Sequence, residues 1–226
     1  MRLITIGLPR HFGFGASYIW PFAQYHVIHL KMSEIKHPAP QADVPKGYRL
    51  RKTVVMVGMM GAGKTAIGRA LAARLDVPFL DSDAEIEAAA NMTIPEIFER
   101  DGEPFFRDKE SQVIARLLEN ERGILSTGGG AFMRDENRAI ITEKGVSVWL
   151  DAVLEVLWMR VRHKETRPLL RTGNPRATLA GMYETRVPIY ARADLRVPSD
   201  AQVSIEEMVD RVIAMLLTRP DVLEQM

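Results

Sequence analysis

Thr53-Val54-Val55-Met56-Val57-Gly58-Met59-Met60-Gly61-Ala62-Gly63-Lys64-Thr65 is the stretch from which the rest of the chain can be read. Its first five residues are a short, β-branched apolar run, the pattern of a strand buried on both faces. Gly58 to Thr65 then match G-x-x-x-x-G-K-[ST] at every fixed position. Beyond them Ile67, Ala70, Leu71 and Leu75 recur on one face at helical spacing. A strand that runs through such a loop into a helix is a phosphate cradle. Glycines let the backbone wrap an anion with its N–H groups pointing inward, and the helix N-terminus adds a partial positive charge. Lys64 is placed to reach the β- and γ-phosphates of a nucleotide, and the Thr65 hydroxyl to hold Mg²⁺. The loop by itself says nucleotide, without choosing between kinase, GTPase and motor.

Around this centre the chain has 226 residues, 46% of them hydrophobic, enough for one domain with a real core. Cysteine is absent, which excludes a disulfide scaffold, thiolate metal sites and a cysteine nucleophile. A formal net charge of +1 argues against a general nucleic-acid binder. The charge is unevenly spread: residues 1–52 carry eight Lys+Arg against two Asp+Glu, and the remainder 22 against 27. This divides the chain into a basic, flexible extension over 1–50, a domain over 51–220 and a short tail over 221–226. Pro9, Pro21, Pro38, Pro40 and Pro45 interrupt the extension, and Lys36 to Lys46 has the composition of an extended linker. Residues 11–30 lack Asp, Glu, Lys and Arg, but Pro21, Gln24, three histidines and two glycines make a poor membrane span. The extension also admits an organelle transit segment, or a true start at Met32. With no clear export signal, a cytoplasmic location is expected, with no membrane partner.

Val77-Pro78-Phe79-Leu80 predicts a second strand ending in Asp81-Ser82-Asp83. Side chains two apart in an extended chain share a face, so both carboxylates are expected to project together from the strand's C-terminal end, where open α/β sheets bind ligands. One would organise Mg²⁺ through water, and the other orient or deprotonate an attacking hydroxyl. Asp83 is also placed to cap the helix running through Ile86. Thr93-Ile94-Pro95-Glu96 reads as a capping box opening a helix that ends near Gly102, with a second helix from Glu103 through Leu118. On that helix Arg107 lies at pairing distance from Glu103 and Glu110.

Gly123 to Thr127 predicts a third strand, followed by Gly128-Gly129-Gly130, which permits close backbone approach to a ligand. Val146 to Leu150 predicts a fourth strand, with a helix from about Ala152 to Arg160. His163 to Arg176 is polar, basic and broken by Pro168, Gly173 and Pro175, the composition of a mobile flap. Leu195-Arg196-Val197 is a fifth strand, and an amphipathic helix runs from about Ser204 to Leu217. Strands alternating with helices predict a three-layer α/β/α fold with a parallel sheet.

The strand, phosphate loop, helix and Asp81-Ser82-Asp83 resemble the opening of shikimate kinases, although gluconate and nucleoside monophosphate kinases open similarly. Three later elements narrow the likeness: Phe105-x-Arg107-x-x-Glu110, Gly128-Gly129-Gly130, and Arg186-Val187-Pro188-Ile189-Tyr190. Arg167-Pro168-Leu169-Leu170 is similar to the family's lid motif. Together they cover about residues 52–218.

The resemblance implies a five-stranded sheet of the nucleoside monophosphate kinase class with a mobile lid. It implies transfer of phosphate from ATP to the 3-hydroxyl of shikimate, a step of chorismate and aromatic amino-acid biosynthesis. By the same resemblance Gly61, Ala62, Gly63, Lys64, Thr65 and Ala66 bind ATP, with Arg160 against adenine and Arg167 at the transferring phosphates. Asp83, Lys64 and Arg167 carry the catalysis. Asp83, Arg107, Gly129 and Arg186 bind shikimate, and Thr65 and Asp81 organise Mg²⁺. The segment Pro198 to Ala201 matches the family's adenine loop weakly, so no adenine contact is assigned there. A monomer with ATP and shikimate as its only partners is expected. A gluconate kinase fits the triglycine and Arg186–Tyr190 elements less well. A nucleoside monophosphate kinase needs a base pocket the sequence lacks. An inactive nucleotide-binding protein would have no use for Lys64, Asp83 and Arg107 together.

Overall fold

The structure is a computed structural model and describes residues 47–163 and 172–226. A short strand β1 (Tyr48–Leu50) leads to β2 (Thr53–Val57), the phosphate loop and helix α1 (Lys64–Leu75). Then come β3 (Phe79–Asp81), α2 (Ser82–Ala90), α3 (Ile94–Asn120), β4 (Ile124–Ser126) and a 3-10 turn at Ala131–Met133. The order continues through α4 (Asp135–Lys144), β5 (Gly145–Ala152), α5 (Leu154–Val161), α6 (Pro175–Tyr190), β6 (Leu195–Ser199), α7 (Ile205–Leu217) and β7 (Leu223–Gln225).

Five strands form one parallel sheet in the order β3-β4-β2-β5-β6. All five residues of β2 are buried, as its uninterrupted apolar run predicts for the middle strand of a sheet covered on both faces. α1 packs on the sheet beside α7, and α4 packs on β5 beside α3. Strand register aligns the groups that matter chemically. Met56 of β2 pairs with Ser126 of β4, and Ser126 pairs with Asp81 of β3. Three neighbouring strands therefore end level with one another. The phosphate loop, the aspartates and the triglycine all emerge at that one edge, where parallel sheets take their ligands.

α3 spans the two helices expected from the sequence. Gly102 breaks it with φ 83° and ψ 168°, a conformation side chains resist, and Pro104 starts the following turn. The capping box at Thr93 and Glu96 is present. Between α2 and the two halves of α3, Ile86, Ile97 and Phe106 form a small second core apart from the main one.

β1 and β7 form an antiparallel pair that the sequence did not signal. The pairing joins residues 48–50 to residues 223–225, which lie outside the 51–220 boundaries read from composition. Val222 and Leu223 are buried in the main core. Three-residue strands more than 170 positions apart leave no local period to read. Among the described residues, no helix is long and apolar enough to cross a membrane.

Candidate active site

The phosphate loop takes its shape from its glycines. Gly63 caps α1 in the left-handed region (φ 97°, ψ 13°), so the loop turns into the helix with its amides exposed to the cleft. Lys64 Nζ donates to the carbonyl oxygens of Gly58 (2.9 Å) and Met59 (3.2 Å), which lays the ammonium across the loop. Thr65 Oγ1 lies 3.4 Å from Ser126 Oγ, at the end of the adjacent strand.

Asp81 and Asp83 both face the same cleft, but not by the alternation of an extended chain. β3 ends at Asp81, whose Oδ1 caps α2 by accepting from the amides of Asp83 (3.1 Å) and Ala84 (3.3 Å). Asp83 sits in the first turn of that helix. The cap therefore belongs to Asp81, and Asp83 is left with its carboxylate directed into the site. Burial, and then the neighbouring Asp81 charge, pushes the Asp83 carboxyl above its ordinary value; Lys64 and Arg107 pull it back.

Arg107 makes the helical pairs the sequence allowed, and it stands beside the triglycine. It pairs along its own helix, Nη1 to Glu110 Oε2 at 2.8 Å and Nη2 to Glu103 Oε1 at 3.1 Å. It also lies against the triglycine: a Cβ on Gly130 would stand 2.5 Å from both Nη1 and Nη2. Glu110 is wholly buried. Burial raises its carboxyl and Arg107 opposes the shift. Such a pair orients the guanidinium more than it stabilises the fold.

The triglycine passes between these groups. A Cβ on Gly128 would meet Asp83 Oδ1 and Glu110 Oε1, each at 3.0 Å. The carbonyl oxygen of Gly129 accepts from the Tyr190 hydroxyl at 2.5 Å and from Arg186 Nη1 at 3.5 Å. On the opposite side of the phosphate loop, Arg160 Nη1 reaches the carbonyl of Gly61 (3.4 Å) and Ser199 Oγ (3.3 Å), while Nη2 donates to the carbonyl of Asp200 (2.9 Å).

These elements enclose a cleft of about 540 Å³. Gly61 to Ala66, Asp81, Asp83, Gly129 and Arg160 line it, as the sequence predicts. Arg107 and Arg186 stand beside it through their contacts with Gly130 and Gly129. Arg167 and residues 164–171 of the flap lie outside the described residues. Sequence reasoning missed several contributors. Ser126 closes β4 beside Thr65, and Ala201, Val203 and Met208 form an apolar wall after β6. Glu110 holds Arg107, and Tyr190 holds Gly129. The sequence shows Glu110 as part of a motif, but only as a surface partner. Tyr190 likewise stands in the sequence as the last residue of the Arg186–Tyr190 element, but with no role attached to it.

The arrangement sets an anion cradle and a lysine on one side of a buried carboxylate, and two arginines around a side-chain-free loop on the other. It suits phosphoryl transfer to a hydroxyl on a small anionic acceptor.

Known proteins agree with that chemistry. The family model described as shikimate kinase matches residues 60–217. A shikimate kinase of Ruegeria pomeroyi is 69% identical over 193 residues, covering 85% of this chain and 99% of the relative. One from Cereibacter sphaeroides is 68% identical over 176 residues, covering 78% and 88%. Among solved structures, shikimate kinase from Acinetobacter baumannii in complex with shikimate superposes with a TM-score of 0.70 at 36% identity, covering 74% of this chain and 93% of that one. The enzyme from Aquifex aeolicus gives 0.66 at 32% identity, covering 74% and 98%.

Proposed function

This chain belongs to the shikimate kinase family, and from that premise we propose how its cleft carries out the family's reaction. The enzyme transfers the γ-phosphoryl group of ATP to the 3-hydroxyl of shikimate, giving shikimate 3-phosphate and ADP. Gly61 to Ala66 hold the phosphates by their amides, and Lys64 offsets charge at the β- and γ-phosphates. Arg160, against the Ala201–Met208 wall, sits beside the base. Arg107 and Arg186 clamp the shikimate carboxylate, with Gly129 against the ring. Asp83 accepts a hydrogen bond from the 3-hydroxyl, aims its oxygen at the γ-phosphorus and takes its proton as the new P–O bond forms and the bond to ADP breaks. Arg167 adds a cation where charge develops on the transferring group.

Thr65, Ser126 and Asp81 offer only hydroxyl and carboxylate oxygens, a donor set that fits Mg²⁺. Thr65 would hold the ion directly and Asp81 through water; when bound, Mg²⁺ neutralises phosphate charge. We read the enzyme as a monomer working in the cytoplasm, where ATP is made available.

The observation that supports this reading most is Asp83, buried between Lys64 with its phosphate loop and Arg107 with the triglycine. An ADP-release assay with shikimate, gluconate and AMP supplied separately tests it. Turnover is expected with shikimate alone, and equal turnover of gluconate would overturn it.

A further inference from the structure

Gly129 offers its carbonyl oxygen to two donors from the same helix, and the two are held very differently. Tyr190 is wholly buried, with its ring stacked on Phe132 (centroids 6.2 Å apart) and Trp149 (6.4 Å). Its hydroxyl reaches Gly129 at 2.5 Å. Burial pushes the phenol up to about 12, so it remains a donor at any working pH. Arg186 Nη1 reaches the same oxygen only at 3.5 Å, a weak contact on a long side chain.

The segment on either side is fastened from below. Thr127 Oγ1 donates to the carbonyl of Met56 (3.3 Å), Asn137 Nδ2 to that of Ala131 (2.8 Å) and Arg138 Nη1 to that of Phe132 (2.5 Å). Gly128 to Gly130 carry no side chains with which to anchor themselves. Tyr190 supplies the anchor in the middle of the span.

Resting on the assignment of Gly129 and Arg186 to shikimate, we propose that Tyr190 is a positioning residue for acceptor binding. Its hydroxyl keeps the Gly129 peptide in place, so that Arg186 turns from that carbonyl to the substrate carboxylate without the loop following. Without the hydroxyl, the Gly129 carbonyl keeps only Arg186 among its described side-chain donors. The arginine must then either stay with Gly129 or leave that oxygen unpaired, and both weaken acceptor binding while the nucleotide side is untouched.

The test uses the full chain with Tyr190→Phe, which preserves the ring packing, beside Phe132→Leu, which loosens the packing and preserves the hydroxyl. Tyr190→Phe is expected to raise KM for shikimate about tenfold, the usual cost of one lost hydrogen bond, with KM for ATP unchanged to within about twofold. Phe132→Leu is expected to lower the melting temperature without changing the ratio of the two KM values. An unchanged KM for shikimate in folded Tyr190→Phe overturns the inference. So does an equal rise in both KM values, or the same selective rise in Phe132→Leu. Hydrogen exchange on the ligand-free wild type decides even if Tyr190→Phe fails to fold. Slow exchange across residues 126–133 is expected of a loop already held, and exchange at the rate of an open loop contradicts it. Wild-type inactivity toward shikimate would instead sink the underlying assignment, so the two failures are distinguishable.

Discussion

Asp83 Oδ1 and Glu110 Oε1 converge on the same spot above Gly128, where a Cβ would lie 3.0 Å from each. Both oxygens are buried, and neither has a hydrogen-bond partner among the described residues. Two buried acceptors left open side by side are costly unless something that donates fills the site. The absent side chain of Gly128 is what lets the two carboxylates approach, and on the proposed reading the acceptor's hydroxyl would supply a donor to Asp83.

Replacing Asp83 by Asn separates catalysis from folding. Turnover is expected to fall about a hundred- to ten-thousand-fold, the usual contribution of a positioned acid or base. ATP binding should be retained, because the phosphate loop is untouched. Steady-state ADP release and nucleotide titration measure the two effects. Near-full activity would remove Asp83 from its role.

The raised proton affinity of Asp83 fixes the sign of two pH effects. Its folded value lies above the ordinary 3.8, so kcat/KM for shikimate should fall on the acid side with an inflection above 3.8. That limb should be missing from the residual activity of Asp83→Asn. For stability the neutral form is favoured by the fold. Asp83 therefore contributes most below its unfolded value, and the contribution is lost as pH rises through its folded value. Asp83→Asn should accordingly melt at a higher temperature than the wild type at neutral pH.

Gly130→Ala tests the approach of Arg107. The new methyl would occupy the position of the guanidinium, 2.5 Å from two of its nitrogens, and would push Arg107 off its line with Glu110. A displacement of about 1 Å in a positioning group costs up to about a hundredfold. KM for shikimate should therefore rise, by about tenfold, and KM for ATP should hold. Equal kinetics in the variant would mean that Arg107 does not bind the acceptor from its observed position.

Deleting residues 221–226 should destabilise the domain. Val222 and Leu223 are buried, at 0% and 1% exposure, and each contributes about 1.5 to 3 kcal/mol. The β1–β7 pairing would be lost with them. Urea unfolding measures the change; an unaltered midpoint would show that the tail is dispensable to the fold.

The sequence was most legible where structure is local. β2, the loop and α1 follow one another within 23 residues, and each carries its own period or motif, so their order and chemistry could be read directly. The five-stranded sheet followed from alternation together with resemblance. The aspartates were placed at the right edge for an incomplete reason: β3 ends at Asp81, two residues before Asp83, and the extended chain gives way there to a capped helix. Glu110 was hidden because a glutamate in mid-helix ordinarily faces water, and only the packing of α3 against the triglycine buries it. Tyr190 was visible as part of the Arg186–Tyr190 element, but its contact with Gly129 and the β1–β7 pair depend on long-range contacts.

The most direct test is a crystal structure of the enzyme with shikimate and ADP. The account predicts the carboxylate between Arg107 and Arg186, the ring against Gly129, and the 3-hydroxyl within hydrogen-bonding distance of Asp83, facing the phosphate loop. A carboxylate bound away from both arginines, or a 3-hydroxyl turned away from Asp83, would contradict it.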